Sequence, residues 1–417
     1  MSAPFFPGSA SGRPDSPEAI LGRERLEALL PHAGQGSRDG EPLVAALHQS
    51  TTFCRDGLTS EATHAYSRQS NPTVAALERV LGELEAAPPA VAYASGLAAE
   101  AALFLTVLES GDHVVCSRAL YGGTTRLLQQ VFPKLGIETS FVDSTDPDAV
   151  EHALRPETRL VFLETPSNPT LAITDIRAIA ERAHRFGALV AVDNTFLTPL
   201  LQQPLELGAD VSVYSTTKFL EGHSAALGGA LVTRDGELAE RLRFVRTATG
   251  GIQTPFHAWL TLQGLKTLAV RLERQSESAR EVAEWLASHP KVSRVHYPSL
   301  AVGAQRALAE SQHRGGHGAV LSFELGDGLA GAKRLLRRTG LFRLVEHVGS
   351  VESLITHSAT MTHASVPEAE RRAVGVTDGL LRISVGLEPA GALIADLESA
   401  LATERGSARR AAQEVAS

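Results

Sequence analysis

Between about residues 75 and 235 the chain alternates segments of helical period with short β-prone runs, and this alternation restricts the fold more than any other feature. The runs are Val91 to Ala94, His113 to Cys116, Ser140 to Val142, Leu160 to Leu163, Leu189 to Val192, Val211 to Tyr214 and Ala230 to Thr233. Leu189 to Val192 is continuously apolar, as a strand buried on both faces must be. Strands separated by helices pair in parallel through crossovers and put helices on the faces of one sheet. The expected class is therefore α/β, with a mostly parallel, doubly wound sheet.

The segment from about Pro255 to Leu286 keeps a helical period with few breakers, as expected of a helix that joins two domains. After it come strand-like GAVLSFEL (318 to 325) and LLRISVGLE (380 to 388), with a Gly- and Ser-punctuated stretch between them. A chain of 417 residues exceeds one typical core. The expected division is an N-terminal segment (1–60), a large domain (61–265) and a smaller C-terminal α+β domain (266–417). The first 19 residues lack a basic region followed by a long apolar core, so they read as a flexible arm rather than a secretory signal. The polar stretch from Glu404 onward reads as a frayed end or a short surface helix.

Several function classes drop out. The formal net charge is −8 and no basic run is interleaved with aromatics, which argues against nucleic acid as the main partner. No window has the roughly 18 unbroken apolar residues that span a membrane. Two cysteines, Cys54 and Cys116, make no disulfide framework, and a reducing cytoplasm fits best. Fifteen histidines are scattered without an HExxH or a Cys/His cluster, so no metal is expected.

In open α/β sheets the carboxyl ends of the strands gather on one edge, where ligands bind. Leu189 to Val192 ends in Asp193, and Val211 to Tyr214 runs into Ser215-Thr216-Thr217-Lys218. Lys218 is either an ordinary solvated lysine, as most are, or an amine that shares a pocket with Asp193. The second arrangement supplies the two protein groups pyridoxal phosphate needs. The amine forms a Schiff base with the cofactor, and the carboxylate keeps the pyridine nitrogen protonated. Ser215 and Thr217 add hydroxyls for a phosphate.

Other strand ends carry suitable groups. Ser95-Gly96-Leu97 opens an alanine-rich helix whose first N–H groups can hold a phosphate, although many strand-to-helix turns contain Ser-Gly. Tyr121, before Gly122-Gly123, can stack on a cofactor ring or simply pack beside a turn. Asn168 lies between two prolines in ETPSNPTL (164 to 171) and can donate to a ring oxygen or a carboxylate. Arg382 sits in an apolar strand-like run and needs an anionic partner, either a substrate carboxylate or an internal Asp or Glu.

YSRQSNPT (66 to 73), YASGL (93 to 97), YGGT (121 to 124), ETPSNP (164 to 169), VDNTF (192 to 196), YSTTK (214 to 218), ESLITHSATMTHAS (352 to 365) and LRISVGLE (381 to 388) occur in this order. Together they resemble the cystathionine γ-synthase and cystathionine γ-lyase family of Cys/Met metabolism, over roughly residues 40 to 400. The resemblance implies a fold-type I pyridoxal phosphate transferase or lyase, a homotetramer of two close dimers in which each active site borrows residues from its neighbour. Tyr66 and Arg68 match the borrowed pair at the phosphate, and Gly96, Leu97, Ser215 and Thr217 match the contacts from the same chain. Tyr121 matches the stacking tyrosine, Asp193 the pyridinium partner and Lys218 the Schiff-base lysine. Asn168, Ser353 and Arg382 match residues at the cofactor oxygen and the substrate α-carboxylate.

For the substrate, an amino acid, the string from Glu352 resembles the synthases, and Arg126 matches a basic position near the distal substrate. Gly123 stands where methionine γ-lyases typically carry cysteine. Ala225 follows GHS where the family usually has aspartate, and Ala65 stands where cystathionine-handling relatives commonly have an acid, which leaves recognition of a second amino acid's ammonium open. The expected activity is γ-replacement on O-succinyl- or O-acetylhomoserine with a thiol such as cysteine, giving cystathionine. Cystathionine γ-lyase, a homoserine ester sulfhydrylase and replacement by an unusual nucleophile remain alternatives, as does a non-catalytic cofactor-binding protein.

Overall fold

The computed structural model describes residues 22–36, 41–59, 61–364 and 366–402. The first 19 residues, read above as an arm, and the stretch from Glu404 lie outside the described residues. From residue 22 the N-terminal segment packs on the large sheet's layer: Leu26, Leu30, Ala33 and Ala45 are buried. The Trp259 indole donates to the Ala45 carbonyl at 2.9 Å.

The larger sheet has seven strands, in order β1-β7-β6-β5-β4-β2-β3. They are β1 (Val91–Tyr93), β2 (His113–Ser117), β3 (Glu138–Val142), β4 (Thr158–Glu164), β5 (Leu189–Asp193), β6 (Val211–Tyr214) and β7 (Gly229–Val232). Each contains or overlaps one of the seven runs expected from sequence. β3, β2, β4, β5 and β6 pair in parallel, and β7 is antiparallel to both β6 and β1. The carboxyl ends of β1, β4, β5 and β6 thus share one edge. Register there sets Glu164 beside Asp193 and Asp193 beside Val213.

The second sheet has order β10-β11-β12-β9-β8. It comprises β8 (Val292–His296), β9 (Val320–Leu325), β10 (Arg343–Leu344), β11 (Leu354–His357) and β12 (Leu380–Ser384), with only β10 and β11 parallel. Arg382 lies mid-sheet, opposite Thr356 on one side and Ser322 on the other. The architecture is α/β with a smaller second sheet.

The expected single helix after Pro255 is two, Pro255–Leu265 and Leu268–Ser288. Gly264 backs so closely on the Glu221 carbonyl that a Cβ there would lie 2.1 Å from it. The chain turns at Lys266-Thr267, and the Arg271 guanidinium caps the Gly264 carbonyl at 2.8 Å. No period in the sequence reports that contact.

One buried ion pair ties helices to β1. Arg246, 2% exposed, bonds to Glu78 and to the Ala92 carbonyl, while Glu78 Oε1 also accepts from Ala92 N at 2.9 Å. Removing one partner strands the other's charge in the core. Glu78→Ala is expected to lower unfolding free energy by about 3–5 kcal/mol, read from the denaturant midpoint at constant slope; a loss below about 1 kcal/mol, typical of exposed pairs, would show that water reaches Arg246.

Candidate active site

The shared edge of the large sheet holds a cavity of about 200 Å³. It gathers Gly96, Leu97, Tyr121, Asn168, Asp193, Ser215, Thr217, Lys218 and Arg382, all singled out from sequence. Local structure explains their placement. The Ser95 hydroxyl accepts from Ala98 N at 3.1 Å and caps the helix Gly96–Val107, whose axis starts at the cavity. Gly96 N and Leu97 N have no partner among the described residues, as first-turn amides must. The Ser215 hydroxyl is likewise without a partner there, whereas the Thr217 hydroxyl donates to the Gly228 carbonyl at 3.1 Å and accepts from Gly228 N at 2.9 Å.

Asp193 ends β5 with Oδ1 accepting from Thr195 N at 2.9 Å. Thr195 Oγ1 in turn accepts from Ser215 N at 2.8 Å, tying the ends of β5 and β6 together. Tyr121 N donates to Glu164 Oε2 at 2.7 Å. The absence of a side chain at Gly123 leaves room for the Tyr121 ring, since a Cβ there would sit 2.4 Å from Cε1. Arg382 is 3% exposed and donates to Asn168 Oδ1 at 2.9 Å.

Charge in the cavity is uneven. Burial first, then the Arg382 charge, pushes the Lys218 amine down to about 8, with Asp193 opposing. A useful fraction is therefore free base near neutral pH. Asp193 is raised by burial, with the Thr195 hydrogen bonds and Lys218 holding it back. Glu100 and Glu164 also line the cavity, and burial plus the Asp193 charge drives Glu100 to about 8 and Glu164 well above the carboxylate range. At neutral pH Glu100 is therefore mostly protonated, and burial favours the neutral form of Glu164.

Five other expected residues lie outside this cavity. Tyr66 is exposed, and Arg68 stacks over its ring at 5.3 Å while bonding the Thr247 carbonyl at 2.8 Å. Arg126 is exposed at the end of the short helix Gly122–Arg126. The Ser353 hydroxyl donates to Glu388 Oε2 at 2.8 Å and accepts from Gly386 N at 2.9 Å. Glu352 accepts from the Ser350 hydroxyl and lines an adjoining cavity of about 780 Å³, which shares Thr217, Leu227 and His347 with the first.

Sequence reasoning missed Glu100, Glu164 and His347. A single acid inside the apolar helix AAEAALFLTVL was a readable sign of a buried carboxyl, and Glu164 stood at a strand end in a quoted motif. His347 had no such sign: its Nδ1 lies 3.0 Å from Lys218 Nζ across 129 residues of chain. Burial, then the charges of Lys218 and Arg382, push His347 down to about 4, so it meets the lysine neutral.

Free amides and a free hydroxyl at a helix start suit a phosphate, a buried carboxylate suits a basic ring nitrogen, and a depressed amine suits an aldehyde. This donor set fits pyridoxal phosphate. Residues 27–402 match the family model described as Cys/Met metabolism PLP-dependent enzyme. The chain is 43% identical over 385 residues to the cystathionine beta-lyase of Coxiella burnetii, covering 91% of this chain and 98% of that one. It is 46% identical over 356 residues to the cystathionine gamma-synthase of Mycobacterium bovis, covering 85% and 91%. The solved cystathionine gamma synthase of Xanthomonas oryzae pv. oryzae in complex with cystathionine superposes with a TM-score of 0.88 at 40% identity, covering 90% and 97%. The chain belongs to the Cys/Met metabolism PLP-dependent enzymes, and pyridoxal phosphate is its cofactor.

Proposed function

We propose that the enzyme catalyses γ-replacement on an activated homoserine, O-succinyl- or O-acetyl-L-homoserine, with a thiol such as cysteine, giving cystathionine. The carrying observation is the pair of adjoining cavities: Thr217, Leu227 and His347 line both the smaller space that holds Lys218 and a larger one edged by Glu352. A replacement needs room for a second reactant beside the lysine.

When bound, pyridoxal phosphate supplies an aldehyde for the substrate amine and a ring that accepts electrons from Cα. Gly96 N, Leu97 N and the Ser215 hydroxyl would hold its phosphate, Tyr121 would pack against the ring and Asp193 would face the ring nitrogen. Thr217 positions the loop through Gly228. Glu100, mostly protonated at neutral pH, and Glu164, whose burial favours the neutral form, flank Asp193. Arg382, oriented by Asn168, takes the substrate α-carboxylate. The Lys218 amine would hold the cofactor's aldehyde carbon and, once freed, would move protons at Cα and Cβ. Tyr66 and Arg68, outside their own chain's cavity, serve a neighbouring subunit of a cytoplasmic homotetramer, and Ser353 acts through its Glu388 network. We assign residues 61–265 to the cofactor domain and the described residues from 266 onward to the C-terminal domain.

A second reading is lysis of cystathionine, favoured by the 43% identity to a cystathionine beta-lyase. Incubating cofactor-loaded enzyme with each homoserine ester, with and without cysteine or sulfide, separates the two. Cystathionine or homocysteine is the expected product; vigorous release of 2-oxobutanoate or pyruvate from cystathionine, with no replacement product, would establish a lyase instead.

A further inference from the structure

The wall of the larger cavity is one face of an edge ribbon. Arg343 opens β10, and it lines the cavity together with Val345 and His347 from the irregular stretch that follows, joined by Glu352 just before β11 and by Leu354 at its start. Backbone bonds fix this ribbon: Arg343 N donates to the Ser353 carbonyl at 3.0 Å and Val345 N to the Ile355 carbonyl at 3.1 Å.

The arginine and the acid of the cavity lining are placed differently. Glu352 is engaged by the Ser350 hydroxyl. The Arg343 guanidinium makes no ion pair or side-chain hydrogen bond with any described residue, Glu352 included. The facing stretch, Ser224 to Leu227, brings no charge at all. An exposed guanidinium on the edge strand, lining a roomy cavity that shares Thr217, Leu227 and His347 with the cofactor cavity, is suited to a carboxylate fork.

We propose that Arg343 binds a carboxylate carried by the part of the reactants beyond the substrate Cγ, and that the larger cavity houses that part. This rests on the γ-replacement reading above. Two reactants present such a carboxylate: a succinyl leaving group, at its far end, and a nucleophile such as cysteine, at its own α-carbon.

Four pairings distinguish the sources, O-succinyl- or O-acetylhomoserine with cysteine or sulfide, because each member has a counterpart lacking the distal carboxylate. In Arg343→Met the kcat/KM preference for the succinyl over the acetyl ester is expected to fall roughly 10- to 100-fold if the leaving group is the ligand. If the nucleophile is the ligand, the preference for cysteine over sulfide falls instead by a similar factor. Arg343→Lys, which keeps the charge without the fork, should recover part of whichever preference was lost. Unchanged preferences in both directions would overturn the assignment.

Calorimetric titration of the cofactor-loaded enzyme with succinate and with 3-mercaptopropionate tests binding without turnover. At least one should bind the unmodified enzyme about tenfold more tightly than Arg343→Met. Equal binding to both proteins, or none to the unmodified one, refutes the role of Arg343. The titration reads Arg343 even if no pairing gives a replacement product, an outcome that would sink the γ-replacement reading alone.

Discussion

Replacing Lys218 with alanine is expected to abolish the visible absorption band of the lysine-bound cofactor and to cut turnover by at least roughly 10²–10⁴-fold, the share owed to a positioned acid–base group. Lys218 carries the only amine among the residues lining the cofactor cavity, so no neighbour can take over its bond to the aldehyde. The same amine gives a pH signature. It attacks only as free base, and burial with the Arg382 charge sets its titration at about 8. The rate at which cofactor-free enzyme takes up pyridoxal phosphate should therefore rise with pH through about 8 and level off above it. A band that survives in Lys218→Ala would assign the bond to another residue, and a profile still climbing past pH 10 would place the amine in ordinary solvent.

Why so much of this edge was legible follows from where its residues sit. Asp193 and Lys218 lie at the ends of runs whose apolar character marks buried strands, and parallel pairing brings such ends together whatever the loops do. Register then places Glu164 against Asp193. Less was legible where a contact joins distant segments without a periodic pattern. The break between the helices ending at Leu265 and starting at Leu268 depends on Gly264 meeting Glu221. His347 reaches Lys218 from an irregular stretch of the second sheet's side. Ser353 matched a substrate residue by motif, yet Glu388 and Gly386 take up its hydroxyl, partners no local string announces. Motif blocks report which residues occur together; they do not report which hydrogen bonds are already taken.

Exchanging Arg382 for methionine is expected to separate substrate recognition from stability. Sequence left two partners open for this buried guanidinium, a substrate carboxylate or an internal acid. Among the described residues it forms no ion pair within 4.0 Å; its bonds go to Asn168 Oδ1 at 2.9 Å and, at 3.3 Å each, to the His347 carbonyl and the Thr356 hydroxyl. Its Nε is buried without any partner. Burial pulls its pKa down to about 10, and the acid that does most to counter this, Glu164, is itself pushed well above the carboxylate range by burial, which weakens its help. An uncompensated charge of this kind costs stability, and a methionine of similar length removes the cost. The unfolding midpoint of cofactor-free Arg382→Met should therefore hold or rise. Its kcat/KM for the amino-acid substrate should fall roughly 10²-fold or more, since a charged hydrogen bond contributes about 1.5–3 kcal/mol and a fork makes two. If unfolding free energy instead drops by about 3–5 kcal/mol, as for a broken buried pair, Arg382 is a structural residue; if KM is unmoved, the carboxylate binds elsewhere.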